Sequence, residues 1–193
     1  MPDSRCFRID EDDIDDLRER TRDQSLIDAY ADWARHFAPQ LDSVLTKITD
    51  AFADSTLGDG VGLFEANGLD DYADRSELRR LRSLDEKLDW KRITTADLSR
   101  CYCSPTFFDL LGFVFHLPAF LTAELNDEHP YGFIDRLFSA EEHPEGWRRL
   151  LTNEQGDAII STLELIRNHP DYHHHRRRID ESLASYIDAK NPG

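Results

Sequence analysis

Cysteine is scarce in this chain. Cys6, Cys101 and Cys103 make an odd, sparse set in 193 residues, which excludes the disulfide-stapled architecture of small secreted domains. Positive charge is also short: 23 Lys and Arg stand against 39 Asp and Glu, for a formal net charge of −16. Affinity for DNA, RNA or anionic lipid rests on neutralising phosphates with Lys and Arg, so neither nucleic acid nor a membrane surface is an expected partner. A long hydrophobic run is missing. The uncharged stretch Leu110–Ala123 contains His116 and Pro118 and falls short of the roughly 20 apolar residues that span a bilayer. The opening MPDSRCFRIDEDDIDD has no positive region leading into an apolar one, so the expected location is cytoplasmic. Period-two alternation is absent and β-branched residues are few, which removes the signature of strands.

Helical spacing is what the chain does contain. Leu26, Tyr30, Trp33 and Phe37 step by four, three and four, and Pro39 ends that stripe. Leu41, Val44, Leu45, Ile48 and Phe52 form the next. A flexible glycine turn follows at Gly58-Asp59-Gly60-Val61-Gly62. It is no phosphate cradle, because it follows a helix rather than a strand and has Asp54 and Asp59 beside it. Ser83-Leu-Asp-Glu86 has the form of a capping box, Thr95 begins a further helix, and Ser104-Pro105 launches TFFDLLGFVFHLPAFLTAEL. That segment is apolar on nearly every side, and Pro118 is expected to kink or break it. Thr152-Asn-Glu-Gln155 is a second capping box, with Ile159, Leu163 and Ile166 on one stripe behind it. A last helix is expected from about Pro170 to Ala189, turning Ile179, Leu183, Tyr186 and Ile187 inward. The expectation is an all-α fold: a compact multi-helix bundle around a central apolar helix at about 105–125, kinked near Pro118. Residues 1–24 read as an acidic helix or arm and residues 25–193 as one helical domain.

Several phrases carry a resemblance: Ile48-Thr-Asp-Ala-Phe52, Trp90-Lys-Arg-Ile93, Phe113-Val-Phe-His-Leu-Pro-Ala-Phe-Leu121, and Leu151-Thr-Asn-Glu-Gln155 with Ala158-Ile159. Across Val44–Ile166 the chain resembles a family of small bacterial proteins known as a domain of unknown function. The resemblance implies no activity and transfers no catalytic residue.

Candidate chemistry is sparse. Glu128-His-Pro-Tyr-Gly-Phe133 and Glu142-His-Pro-Glu-Gly-Trp147 share an EHPxG-aromatic pattern. Glu128, His129, Glu142 and His143 are the candidate metal ligands, since imidazole and carboxylate together suit zinc or iron. The plainer reading makes both segments loop-to-helix junctions whose aromatics pack inward. Cys101 and Cys103 lack the second pair that a CxC metal site needs and read as buried thiols. His116 reads as a core histidine or a lone base. No GxSxG, HExxH, SxxK or Walker pattern occurs, and no cofactor is expected.

Asp10, Glu11, Asp12, Asp13, Asp15 and Asp16 put six carboxylates in seven residues. They are the candidate surface for a basic protein partner, against the simpler reading of a solvated face. The segment DYHHHRRRID at Asp171–Asp180 reads as helix: successive side chains point about 100° apart, so three adjacent histidines cannot converge on one ion. The functional expectation is a non-enzymatic protein-binding module, for example an immunity-type inhibitor of a cationic partner. The alternative is a helical metalloprotein or enzyme using Glu128/His129 and Glu142/His143.

Overall fold

A computed structural model describes residues 6–128, 132–138 and 146–190, with side chains to residue 187. Among them there is no strand, and the architecture is all-α. Helix α1 (Glu11–Arg20) packs on α2 (Gln24–His36), and α3 (Leu41–Ala51) follows after a 3-10 turn at Ala38–Gln40 containing Pro39. Helices α4 (Leu63–Asp70) and α5 (Arg75–Arg82) form a hairpin, and α6 (Thr95–Arg100) lies beyond it. The apolar α7 (Leu110–Leu125) runs through the middle. Helix α8 (Asn153–Ile166) lies along α3 and carries α9 (Arg176–Lys190) on another side.

Helix α7 is buried along nearly its whole length, from Gly112 and Phe113 to Ala123, Glu124 and Leu125. It starts later than the sequence suggested. Ser104 does not cap it; that hydroxyl donates to the Leu63 carbonyl at 2.8 Å and ties the 3-10 turn Ser104–Thr106 to α4. The cap is Asp109, whose carboxylate accepts both the Gly112 amide (2.8 Å) and the Val61 amide (3.0 Å). Pro118 makes no break, and the helix continues to Leu125. Loss of one backbone donor there is outweighed by packing, since Leu117, Ala119, Phe120 and Leu121 are all buried around it.

The EHPxG-aromatic echo has a structural meaning. In both copies the glycine is left-handed, at φ 70° for Gly132 and 97° for Gly146, and a 3-10 turn follows. The aromatics Phe133 and Trp147 then converge on the same residue of α7, with ring centroids 5.8 Å and 4.9 Å from Phe113. Buried Glu124 of α7 secures the first turn by accepting the Ile134 amide at 2.7 Å.

At its other end α7 closes in a Schellman motif. The Asp127 amide bonds Glu124 O and the Glu128 amide bonds Ala123 O. Asp127 takes the left-handed position at φ 62°, where glycine is the usual occupant. A glycine would lack what Asp127 supplies: its two carboxylate oxygens accept the Phe7 amide (2.8 Å) and the Arg8 amide (3.0 Å). The Trp33 indole N–H donates to Phe7 O at 2.9 Å, and the buried His169 Nε2–H donates to Cys6 O at 2.8 Å. Phe7 is thereby fully buried among Trp33, His169 and Tyr172.

Three further expectations are corrected. Ser83–Glu86 is not a capping box: Ser83 ends α5, and Glu86 Oε1 accepts the amides of Lys87, Leu88 and Asp89 in a loop. The glycine turn is a packed joint. Only Gly58 has positive φ, whereas a Cβ on Gly62 would sit 2.1 Å from the Asp85 carboxyl carbon, and one on Gly112 2.2 Å from Val61 O. The last helix begins as a 3-10 segment, Pro170–His175, before α9, and Ile187 is exposed while Ile179 and Tyr186 are buried. The Thr152–Gln155 capping box is present with both reciprocal bonds.

Phe7→Ala is expected to cost about 3–5 kcal/mol of stability in guanidinium unfolding, because the cavity it leaves is walled by fixed rings. Gly112→Ala is expected to lose about 1–3 kcal/mol through overpacking against backbone. Gly58→Ala, which meets nothing within 4 Å, should lose about 1 kcal/mol through its φ alone.

Candidate functional site

Many of the acidic residues have work within the fold. Asp10, Asp23, Asp74, Asp89 and Asp109 each accept a backbone amide at the start of a helical segment. Buried Asp85 does the same from a distance: its carboxylate accepts the Phe64 amide at 2.6 Å and caps α4. Of the six candidate partner-binding residues on α1, Asp10 and Asp13 form a capping box, Asp15 pairs with Arg18, and Asp16 pairs with Arg20. Glu11 and Asp12 make no ion pair among the described residues and are exposed.

Another concentration of acid lines a cleft of about 640 Å³ between the C-terminal end of α3 and the N-terminal end of α8. Asp50 and Asp54 line one wall, and Glu154 and Asp157 the other. All four are exposed. The lining cation is Lys47, whose ammonium donates to Ser161 Oγ at 3.0 Å. Gln155 Nε2 donates to Ser55 Oγ across the base at 3.0 Å and fixes the two walls together. Glu154 complements the positive end of α8. Asp50 sits in the last turn of α3, where the helix dipole opposes negative charge.

A second cavity, of about 260 Å³, opens over α7. His116 forms part of its lining and is 1% exposed. Its Nδ1 lies 2.7 Å from Gly112 O. A carbonyl can only accept, so Nδ1 carries the proton and Nε2 is the acceptor in the neutral ring. Phe108 stacks on the imidazole, with centroids 4.4 Å apart and planes 9° apart, and Phe115 meets it edge-on. Leu63, Phe64 and Ile93 supply apolar wall; Asp85, Glu86 and Asp97 supply carboxylates. Arg92 lies at the rim, 3.6 Å from Glu86 Oε2. Burial holds the Asp85 carboxyl above its ordinary value. These groups come from α4, α6, α7 and the loop after α5, so no local pattern joined them in the sequence.

Glu128 is exposed just beyond α7, while His129, Glu142 and His143 lie outside the described residues. Cys101 is buried and Cys103 half-buried; burial pushes the Cys101 thiol up. In DYHHHRRRID, Tyr172 is fully buried, His173 and His174 are exposed, and Asp171 accepts the Tyr30 hydroxyl at 2.6 Å. The three arginines engage the protein itself: Arg176 donates to Arg167 O, Arg177 pairs with Glu181, and Arg178 lies 6.0 Å from the Phe138 ring. No helix among the described residues is long and apolar enough to cross a membrane.

The model of a family of unknown function, DUF6714, matches residues 40–190, and the chain belongs to that family. The match is wider than the Val44–Ile166 resemblance and takes in the DYHHHRRRID segment, but leaves α1 and α2 outside. Neither the curated proteins nor the solved structures contain a match.

Burial pushes the His116 imidazole down to about 4. The unfolded chain therefore takes up this proton at a higher pH than the fold does. The associated stability is complete above about pH 6.5 and is lost as pH falls toward 4, by about 3 kcal/mol in all. Urea unfolding between pH 7 and pH 4 should show this slope in the native chain, and a slope smaller by that amount in His116→Phe.

Proposed function

We propose that this protein is a non-enzymatic binding module that recognises a cationic protein. The observation that carries the reading is the cleft between α3 and α8. Asp50 and Asp54 are exposed on its α3 wall, and Asp50 is held at the end of α3 where the dipole opposes it. Such an arrangement costs stability in the free protein and gains it against a positive partner. The cleft is set on packed helices, with α8 started by its capping box, so its carboxylates are presented on a rigid frame. Glu11 on α1 lies instead beside Leu41 and Asp42 at the other end of α3, away from this cleft. An immunity-type protein that masks a basic toxin is one concrete form of this function. The net charge of −16 supports steered, salt-sensitive association.

Affinity capture from lysate of the source organism at about 50 mM and about 300 mM salt tests the reading. A basic protein should be retained at the lower concentration and released at the higher. The combined variant Asp50→Asn, Asp54→Asn, Glu154→Gln, Asp157→Asn should lose it. Retention of the same partner by that variant would overturn the assignment to this cleft. Asp50→Asn alone should raise stability by a few tenths of a kcal/mol, or about 0.3–1 at low salt, in thermal unfolding.

A further inference from the structure

The cavity over His116 lies apart from the acidic cleft and shares no lining residue with it. We infer that it is a binding site for a small primary amine in its ammonium form. The His116 Nδ1–H is committed to Gly112 O, so the ring presents Nε2 as an acceptor, and no hydrogen bond to Nε2 is made among the described residues. Glu86 Oε1 is filled by three backbone amides, whereas Asp85, which accepts the Phe64 and Glu65 amides, and Asp97, which accepts the Thr94 hydroxyl and Arg100, keep lone pairs beyond those bonds. Arg92 is the one donor side chain in the lining, and it is 71% exposed at the rim. The acceptor capacity that remains, at His116 Nε2, Asp85 and Asp97, is satisfied by a ligand made of donors. An ammonium group offers three N–H donors and no acceptor.

Charge points the same way. Three carboxylates line the cavity against one guanidinium. Arg100 offsets part of the Asp97 charge from outside, at 3.1 Å, while lying over the Phe64 ring. Buried His116 contributes no positive charge near neutral pH. An anionic ligand would therefore meet acceptors and negative charge without a donor inside.

Shape fixes the rest of the ligand. Leu63, Phe64 and Ile93 give the cavity an apolar wall suited to a short hydrocarbon stem. A volume of 260 Å³ holds on the order of eight water-sized groups. That suits a stem of about four to six carbons. A metal ion is disfavoured by geometry, since no group of three His, Cys, Asp or Glu among the described residues is placed to hold one. The same chemistry can reach the site as a free amine or as a lysine side chain on a peptide.

Nitrogen-15 NMR titration at pH 7 with n-butylamine, 1-butanol and N-acetyl-lysine methylamide tests the inference. Butylamine should give saturable shifts centred on Phe64, Ile93 and Asp97, with butanol weaker by about tenfold or more. Lysine amide binding as well as butylamine identifies a side-chain pocket; butylamine binding alone identifies a free-amine site. His116→Phe keeps a ring against Phe108 but loses the acceptor, and should weaken butylamine by about tenfold or more. Leu84→Trp changes a rim residue that is 54% exposed, preserves the core, and should block entry. The four-residue variant of the α3–α8 cleft should bind butylamine as well as the native chain, which separates this site from the acidic surface. Butanol binding equal to butylamine, absence of saturation, or indifference to Leu84→Trp would overturn the inference.

Discussion

Helix α7 has no face that it can leave in water, and the surrounding chain is disposed so that none is left. Phe113, Phe115, Leu117, Phe120 and Leu121 point to different sides of one helix and all are buried. Covering them needs elements on every side, and distant parts of the chain supply them. Phe133 and Trp147 close on Phe113. Helix α3 lies against one flank, and the 3-10 turn Trp90–Arg92 against another. Trp90 itself is buried and donates its indole N–H to Phe52 O at 2.8 Å, linking that turn to the end of α3.

The ends of α7 are where polar groups enter the arrangement. At the start, the Asp109 carboxylate serves both the helix and the glycine loop, and Gly112 allows the loop backbone to lie against the helix. One turn later His116 returns its Nδ1–H to the Gly112 carbonyl. At the finish, Asp127 spends some backbone strain in a left-handed position and binds two amides of the segment preceding α1. A single helix thus fixes the loop beside the small cavity and the anchorage of the N-terminal segment.

The excess of acid divides by position. Carboxylates at helix starts are neutralised by backbone amides and the helix dipole, so they serve the fold. Those at the end of α3 are opposed by the dipole and serve no such purpose. Both kinds are Asp residues, and composition cannot separate them. Asp109 and Asp50 differ only in which end of a helix each occupies, and that depends on where the helices begin and end. The same holds for Ser83 and Ser104, which have the form of caps but stand at the end of α5 and in a 3-10 turn. Asp89 and Asp109 offer stronger caps a few residues later, and the helical segments start there instead.

The sequence by itself determined the helical class, the stripes on α2, α3 and α8, the Thr152 capping box and the apolar centre of the bundle. These follow from short-range periodicity and from hydrogen bonds spanning three or four residues. Tertiary structure alone decided that the EHPxG echo is a pair of aromatic clamps on Phe113, that α7 runs through Pro118, and that the arginines after the histidine run engage the protein itself. It alone assembled the His116 cavity with Asp85 and Asp97, and set Asp50 and Asp54 opposite Glu154 and Asp157. Such contacts join residues far apart in the chain, and burial of α7 determines which of them meet.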